Sequence, residues 1–203
     1  DGVLLGAWVN ASEGERMLDI GTGNGLIALM LAQKNASAQI DAIEIDRDAY
    51  DEALSNVQQS NWEERIHLFC QSFQEFTTET EKKYDLIVSN PPFFGNGVKA
   101  PDETRAQARH ADALPLDVLI SGAASLLQKN GRIALVLPAE QLQEVENLAK
   151  LNGLFLSCLC RVKPNPVKPD FRILIELCNR PTTLQEETLM IEFEKHHDYT
   201  PDY

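Results

Sequence analysis

The chain has no excess of basic residues. Its 203 residues include 18 Lys and Arg against 31 Asp and Glu, for a net charge of −13 and a pI near 4.7. A general nucleic-acid binder shows the opposite balance, so any contact with a nucleic acid must come from a local basic patch on an acidic protein. No apolar run approaches the roughly 20 residues of a membrane span, and nothing resembles a signal peptide. The chain opens at Asp1 without a methionine, so the second absence excludes little. Four cysteines are present, Cys70, Cys158, Cys160 and Cys178, with no CxxC pair among them. No His cluster has metal-ligand spacing, and His196-His197 read as a solvated pair on a polar tail. Zinc and disulfide frameworks are therefore disfavoured. The expectation is core thiols in a reducing compartment, the cytoplasm, with no metal.

The pattern that is present is alternation. Hydrophobic content of 43% and charged content of 24% are ordinary for a globular chain. Short apolar runs at Met17–Ile20, Ile40–Ile45, Ile66–Cys70, Tyr84–Ser89 and Ile133–Leu137 read as strands. Helical stretches are expected at Val3–Val9, Leu26–Gln33, Arg47–Ser60, Pro115–Gln128 and Glu140–Leu151, with a short turn or helix at Phe73–Phe76. Leu154–Val162 and Phe171–Leu177 form an antiparallel pair around the proline-rich segment 163–169, and Leu189–Phe193 reads as one more strand. Cys158 and Cys160, two apart in such a strand, share one face. With no repeat and no linker, residues 1–203 read as a single domain. Its fold class is α/β, a doubly wound, mostly parallel sheet with an antiparallel C-terminal edge.

Two motifs sit at carboxyl ends of these strands, where open α/β sheets bind ligands. The first is Asp19-x-Gly21-x-Gly23-x-Gly25, a strand-turn-helix junction. Glycine is needed there wherever φ is positive or the backbone must approach a ligand. Glu44 lies 19 residues beyond Gly25, at the end of the next strand, where a carboxylate can accept both hydroxyls of a ribose. A glycine-rich turn alone is weak evidence, because nicotinamide and flavin enzymes share it. The spacing here is Gly-x-Gly-x-Gly, not Gly-x-Gly-x-x-Gly, and no Lys-Ser or Lys-Thr follows for a triphosphate. S-adenosylmethionine has no pyrophosphate, and Asp19 suits its ammonium end.

The second motif is Ser89-Asn90-Pro91-Pro92-Phe93. Consecutive prolines fix φ and remove two N–H donors, so the loop presents carbonyls in a set geometry. The Asn90 side-chain carbonyl and the Pro91 backbone carbonyl can accept the two N–H bonds of a planar amine such as N6 of adenine. Phe93 offers a face on which the base stacks. Such a site positions and polarises its substrate without attacking it.

These motifs resemble motifs I and IV of the class I methyltransferases that act on amino groups. The segments Asp1-Gly2-Val3-Leu4-Leu5-Gly6-Ala7-Trp8, residues 90–97 and Arg105-Ala-Gln-Ala-Arg109-His110 further resemble the bacterial YfiC-type tRNA methyltransferases. The likeness covers nearly the whole chain. It implies a Rossmann-like fold and methylation of N6 of the adenosine beside the anticodon of a valine tRNA. It also implies that Asp19, Gly21, Gly23 and Gly25 line the methionine side of the cofactor, with Glu44 at its ribose and Ile45 on its adenine. Ser72 stands where many relatives carry an acid toward the adenine amine, and Phe73 could lend its backbone N–H. The chain is expected to act as a monomer.

Between Phe94 and Leu114 runs a long segment holding Lys99, Arg105, Arg109 and His110. Arg105 and Arg109 share a face if this stretch is helical, and the cluster could clamp RNA phosphates. The plainer alternative is a surface helix with solvated charges. Lys163, Lys168 and Arg172, around the proline-rich turn, form a weaker second patch. A rival assignment for the whole chain is methylation of a protein glutamine amide, which would suit the acidic charge.

Overall fold

The computed structural model describes residues 1–92, 114–193 and 198–201. Phe93, Lys99, Arg105, Arg109, His110 and the pair His196-His197 lie outside the described residues. Helix α1 (Gly2–Trp8) precedes β1 (Arg16–Ile20), α2 (Leu26–Lys34), β2 (Gln39–Glu44), α3 (Arg47–Gln58) and β3 (Ile66–Cys70). Then come α4 (Phe73–Glu79), β4 (Tyr84–Ser89), α5 (Leu116–Leu126), β5 (Leu127–Pro138) and α6 (Leu142–Leu151). Three strands close the described chain: β6 (Phe155–Lys163), β7 (Arg172–Cys178) and β8 (Gln185–Met190). All eight join one sheet in the order β3-β2-β1-β4-β5-β7-β6-β8.

Strands β1 to β5 pair in parallel, and β7 is antiparallel to both β5 and β6. The expected doubly wound sheet with its antiparallel edge is therefore present. Alternate residues of each strand feed two cores. Leu18, Ile20, Ile87 and Ile133 pack with Phe73, Phe76 and Leu119 of α4 and α5. On the other face Met17, Ile40, Leu86 and Val88 pack with Leu5, Leu31 and Val57 of α1, α2 and α3. A buried side chain the size of Phe76 contributes about 1.5–3 kcal/mol. Helix α5 can approach α4 because residue 122 is glycine; a Cβ there would come within 2.6 Å of the Phe73 ring.

Several expected boundaries are corrected. Helix α5 ends at Leu126, not Gln128, because Leu127 already pairs with Tyr84 in the sheet. The register then shifts, with Leu86 opposite Arg132, so β5 carries extra residues that turn through Asn130 at φ 65°. Helix α4 runs to Glu79, well past Phe76. Strand β8 starts at Gln185 and stops at Met190, so it is not Leu189–Phe193. Its first four residues are exposed and polar, as an outer edge strand allows, so no apolar run marks it. All four cysteines are free, but Cys70 is exposed and only Cys160 and Cys178 are buried. Cys158 and Cys160 do share a face, since they stand two apart in β6, level with Glu176 and Leu174 of β7 with no shift of register between them. No helix among the described residues is long and apolar enough to cross a membrane.

Candidate active site

Register brings the motifs to one edge of the sheet. Ile20 pairs with both Ile43 and Ser89, and Glu44 pairs with Cys70. The residues that follow β1, β2, β3 and β4 therefore converge where the strand order reverses between β1 and β4, the crevice in which α/β sheets bind ligands. A cleft of about 850 Å³ opens there. Its lining includes Gly21, Glu44, Ile45, Ser72, Phe73, Asn90, Pro91 and Pro92. Sequence reasoning had named each of these.

The glycine turn is built as its spacing requires. Gly21, Gly23 and Gly25 have φ of 69°, 58° and 84°, the left-handed region that other residues avoid. Nothing lies within 4 Å of a Cβ placed on Gly21 or Gly23, so these two also face open space. Glu44 holds the turn: its Oε2 accepts the Gly23 N–H at 2.8 Å, and its Oε1 accepts the Asp46 N–H at 2.9 Å. Asp19 sits fully buried beneath the turn. Its Oδ2 accepts from the Thr22 hydroxyl at 2.6 Å and from the Ala28 N–H at 3.1 Å, whereas Oδ1 has no partner. Burial pushes its carboxyl up to about 7, with the Thr22 and Ala28 bonds opposing and Glu44 adding to the rise.

The Asn-Pro-Pro loop shows the same incompleteness. The Ser89 hydroxyl donates to the Ile20 carbonyl at 2.8 Å, tying the end of β4 to the end of β1. Next to it Asn90 presents a buried Oδ1 with no hydrogen-bond partner. An unpaired buried acceptor costs about 1–3 kcal/mol; Asn90 carries one at the cleft wall and Asp19 another beneath the glycine turn. Helix α1 backs Asn90, since a Cβ on Gly2 would lie 3.7 Å from its Nδ2. Nothing in the local sequence signals that contact.

Ser72 departs from a free ligand contact. It is the N-cap of α4 in a reciprocal box with Glu75: its hydroxyl donates to Glu75 Oε2 at 2.7 Å and accepts the Glu75 N–H at 3.2 Å. The motif Ser-x-x-Glu was readable in the sequence. Phe73 places its ring in the core and its N–H at the first helical position, where no helical acceptor exists. Ile45 is 49% exposed on the cleft wall. The second patch is only partly free. Arg172 bonds Asp1 Oδ2 at 2.9 Å, whereas Lys163 and Lys168 have no acidic partner among the described residues.

Sequence reasoning missed the acidic wall. Asp46, Asp48 and Glu52 join Glu44 along the cleft, and no Lys or Arg is among its described lining residues. That wall attracts a cation, which suits the sulfonium and ammonium of S-adenosylmethionine. The unpaired Asp19 oxygen and the open glycine turn likewise fit that group.

The comparisons agree with this geometry. The family model for the methyltransferase small domain matches residues 3–163. A tRNA1(Val) (adenine(37)-N6)-methyltransferase of Trichodesmium erythraeum is 45% identical, over 100% of this chain and 85% of its own. One from Christiangramia forsetii is 42% identical with the same coverage. Among solved structures, a "predicted O-methyltransferase" of Agrobacterium tumefaciens superposes with a TM-score of 0.74 at 16% identity, over 99% of this chain and 92% of that one. A methyltransferase of Pyrococcus furiosus gives 0.61 at 20% identity, over 88% and 81%; at such identities these two speak for the fold alone. With sheet order, cleft and relatives in agreement, the chain belongs to the methyltransferase small domain family and groups there with the tRNA1(Val) (adenine(37)-N6)-methyltransferases.

Proposed function

We propose that this protein methylates the exocyclic N6 amine of an adenosine in tRNA, the one beside the anticodon of a valine tRNA, with S-adenosylmethionine as donor. The observation that carries the reading is the buried, unpartnered Oδ1 of Asn90 on a proline-fixed loop at the cleft. Relatives that share the whole chain carry that activity in their names. The cleft is built within one chain, consistent with a monomer, and the free thiols suit a reducing cytoplasm.

S-adenosylmethionine, when bound, supplies a methyl group made electrophilic by a positively charged sulfur. Asp19 would favour the ammonium end by its charge, Glu44 keeps one lone pair on each oxygen that would accept the ribose hydroxyls, and Ile45 would cover the adenine. Ser72 Oγ retains one acceptor lone pair for the adenine amine, and the Phe73 N–H serves the ring. Asn90 Oδ1 and the Pro91 carbonyl accept the two N–H bonds of the target amine. This fixes the nitrogen and leaves its lone pair directed at the methyl. Both acceptors would strengthen their hydrogen bonds as the amine nitrogen gains positive charge. The gain appears in the transition state more than in the ground state. The extra proton then leaves the nitrogen for solvent. Phe93 stacks on the base, and Lys99, Arg105, Arg109 and His110 hold the RNA backbone.

The test is methyl transfer from labelled S-adenosylmethionine to bulk tRNA and, separately, to release-factor protein. Label in tRNA that digests to N6-methyladenosine is the expected result. Label in a glutamine side chain with none in tRNA would replace this reading with the protein-amide one.

A further inference from the structure

The hairpin tip between β6 and β7 has a charge unlike the rest of the molecule. Residues 161–172 hold Arg161, Lys163, Lys168 and Arg172 against Asp170 alone. That gives twelve residues a charge of +3 in a chain of −13, so everything else carries −16. Two of these cations are structural: Arg161 pairs with Asp170 at 3.0 Å and Arg172 with Asp1 at 2.9 Å. Lys163 and Lys168 have no such partner among the described residues, and Lys168 is exposed.

The position is as telling as the charge. Strand β6 runs in the same direction as β4, because both neighbours of β7, β5 and β6, are antiparallel to it. Its exit at Lys163 is therefore on the edge that carries Asn90. Ser89 is level with Leu135, and Pro138, three residues further along β5, is level with Arg172. The hairpin thus extends past the end of β4, about 14 Å to its side at three strand spacings. The tip is braced. Pro164, Pro166 and Pro169 fix φ, and Asn165 Oδ1 accepts the N–H groups of Val167 and Lys168 at 3.2 and 3.0 Å. The segment after β8 donates to the Lys163 and Pro164 carbonyls at 2.9 and 3.0 Å. A surface held this way loses little conformational freedom on binding. Phe171, 37% exposed beneath the Arg172 guanidinium, adds an aromatic face, the usual companion of phosphate contacts on single-stranded RNA.

We propose that the β6–β7 hairpin is a docking surface for the tRNA backbone, with Lys163 and Lys168 on phosphates flanking the nucleotide held at Asn90. The inference rests on the tRNA reading above. On an acidic protein a polyanion needs a local basic foothold beside the cleft, and among the described residues this tip supplies it.

The experiment compares the parent, K163A/K168A and K129A/K150A by tRNA methylation kinetics and by tRNA affinity over a salt series. Lys129 and Lys150 are exposed and lie at the opposite edge, the first near the start of β5 and the second in the last turn of α6 before β6, so the second pair removes the same charge elsewhere. K163A/K168A should flatten the salt slope by about 1.4–1.8, at 0.7–0.9 per phosphate contact. It should raise KM for tRNA and leave kcat, S-adenosylmethionine affinity and melting temperature unchanged. K129A/K150A should match the parent. A parent-like slope and KM in K163A/K168A overturns the hairpin proposal alone. Equal flattening in both pairs overturns it too, by showing a net-charge effect. A parent that does not methylate tRNA at all removes the tRNA reading, and the hairpin proposal with it.

Discussion

Glu44 and Gly23 are joined by a 2.8 Å hydrogen bond from the glycine N–H to the carboxylate Oε2. The residue suited to a ribose is thereby also the brace of the glycine turn. Glu44→Gln keeps size but replaces one acceptor oxygen by a donor, which must face the Gly23 or the Asp46 N–H. The loss of a charged hydrogen bond, about 1.5–3 kcal/mol, predicts S-adenosylmethionine binding about 10–100-fold weaker at 1.4 kcal/mol per decade. Calorimetry on the folded variant checks this; unchanged affinity would separate Glu44 from the ligand.

Gly23→Val tests the turn itself. A β-branched residue at φ 58° is strained, and its side chain would project into the open space over the turn. S-adenosylmethionine binding should be abolished, while circular dichroism shows a folded protein with a lower melting temperature. Retained binding would move the cofactor away from this loop.

Asp19 predicts a pH dependence. Its folded pKa, about 7, lies above the ordinary value of 3.8, so the native state holds a proton that the unfolded chain has released. Stability from this group is therefore full at low pH and is lost as pH rises from about 4 to about 7. Measured by denaturation, the parent should lose stability relative to Asp19→Asn between pH 5 and 8. A cationic ligand favours the ionised form, so S-adenosylmethionine should bind the parent more tightly at pH 8 than at pH 6. The Asn variant should show neither trend.

Asn90→Ala removes one preorganised partner of the target amine. Its methylation rate should fall at least ~100-fold, with cofactor affinity changed far less. A variant that methylates normally would assign Asn90 to loop shape only.

Much of this architecture was legible because parallel strands buried on both faces are continuous apolar runs. Tyr84–Ser89 and Ile133–Leu137 announce themselves in that way, and the glycine spacing announces the turn. Other features depend on partners distant in the chain. The exposed outer position of β8 leaves Gln185–Thr188 free to be polar, so no periodicity marked it. The pairing of Leu127 with Tyr84 shortened α5, against its helical composition. Gly2 backing Asn90 and the acidic wall of α3 emerge only when the elements pack. Ser72 is a different case: its capping box with Glu75 is written in the local sequence as Ser-x-x-Glu.

The acidic wall of Asp46, Asp48 and Glu52 bears on turnover as well as on recognition. Methyl transfer converts the donor's charged sulfur to a neutral thioether, so the spent molecule carries one positive charge fewer than the fresh one. On charge alone, a cleft with carboxylates along one wall attracts the fresh donor more than the spent one. Because salt screens such attraction, this difference between the two weakens as ionic strength rises.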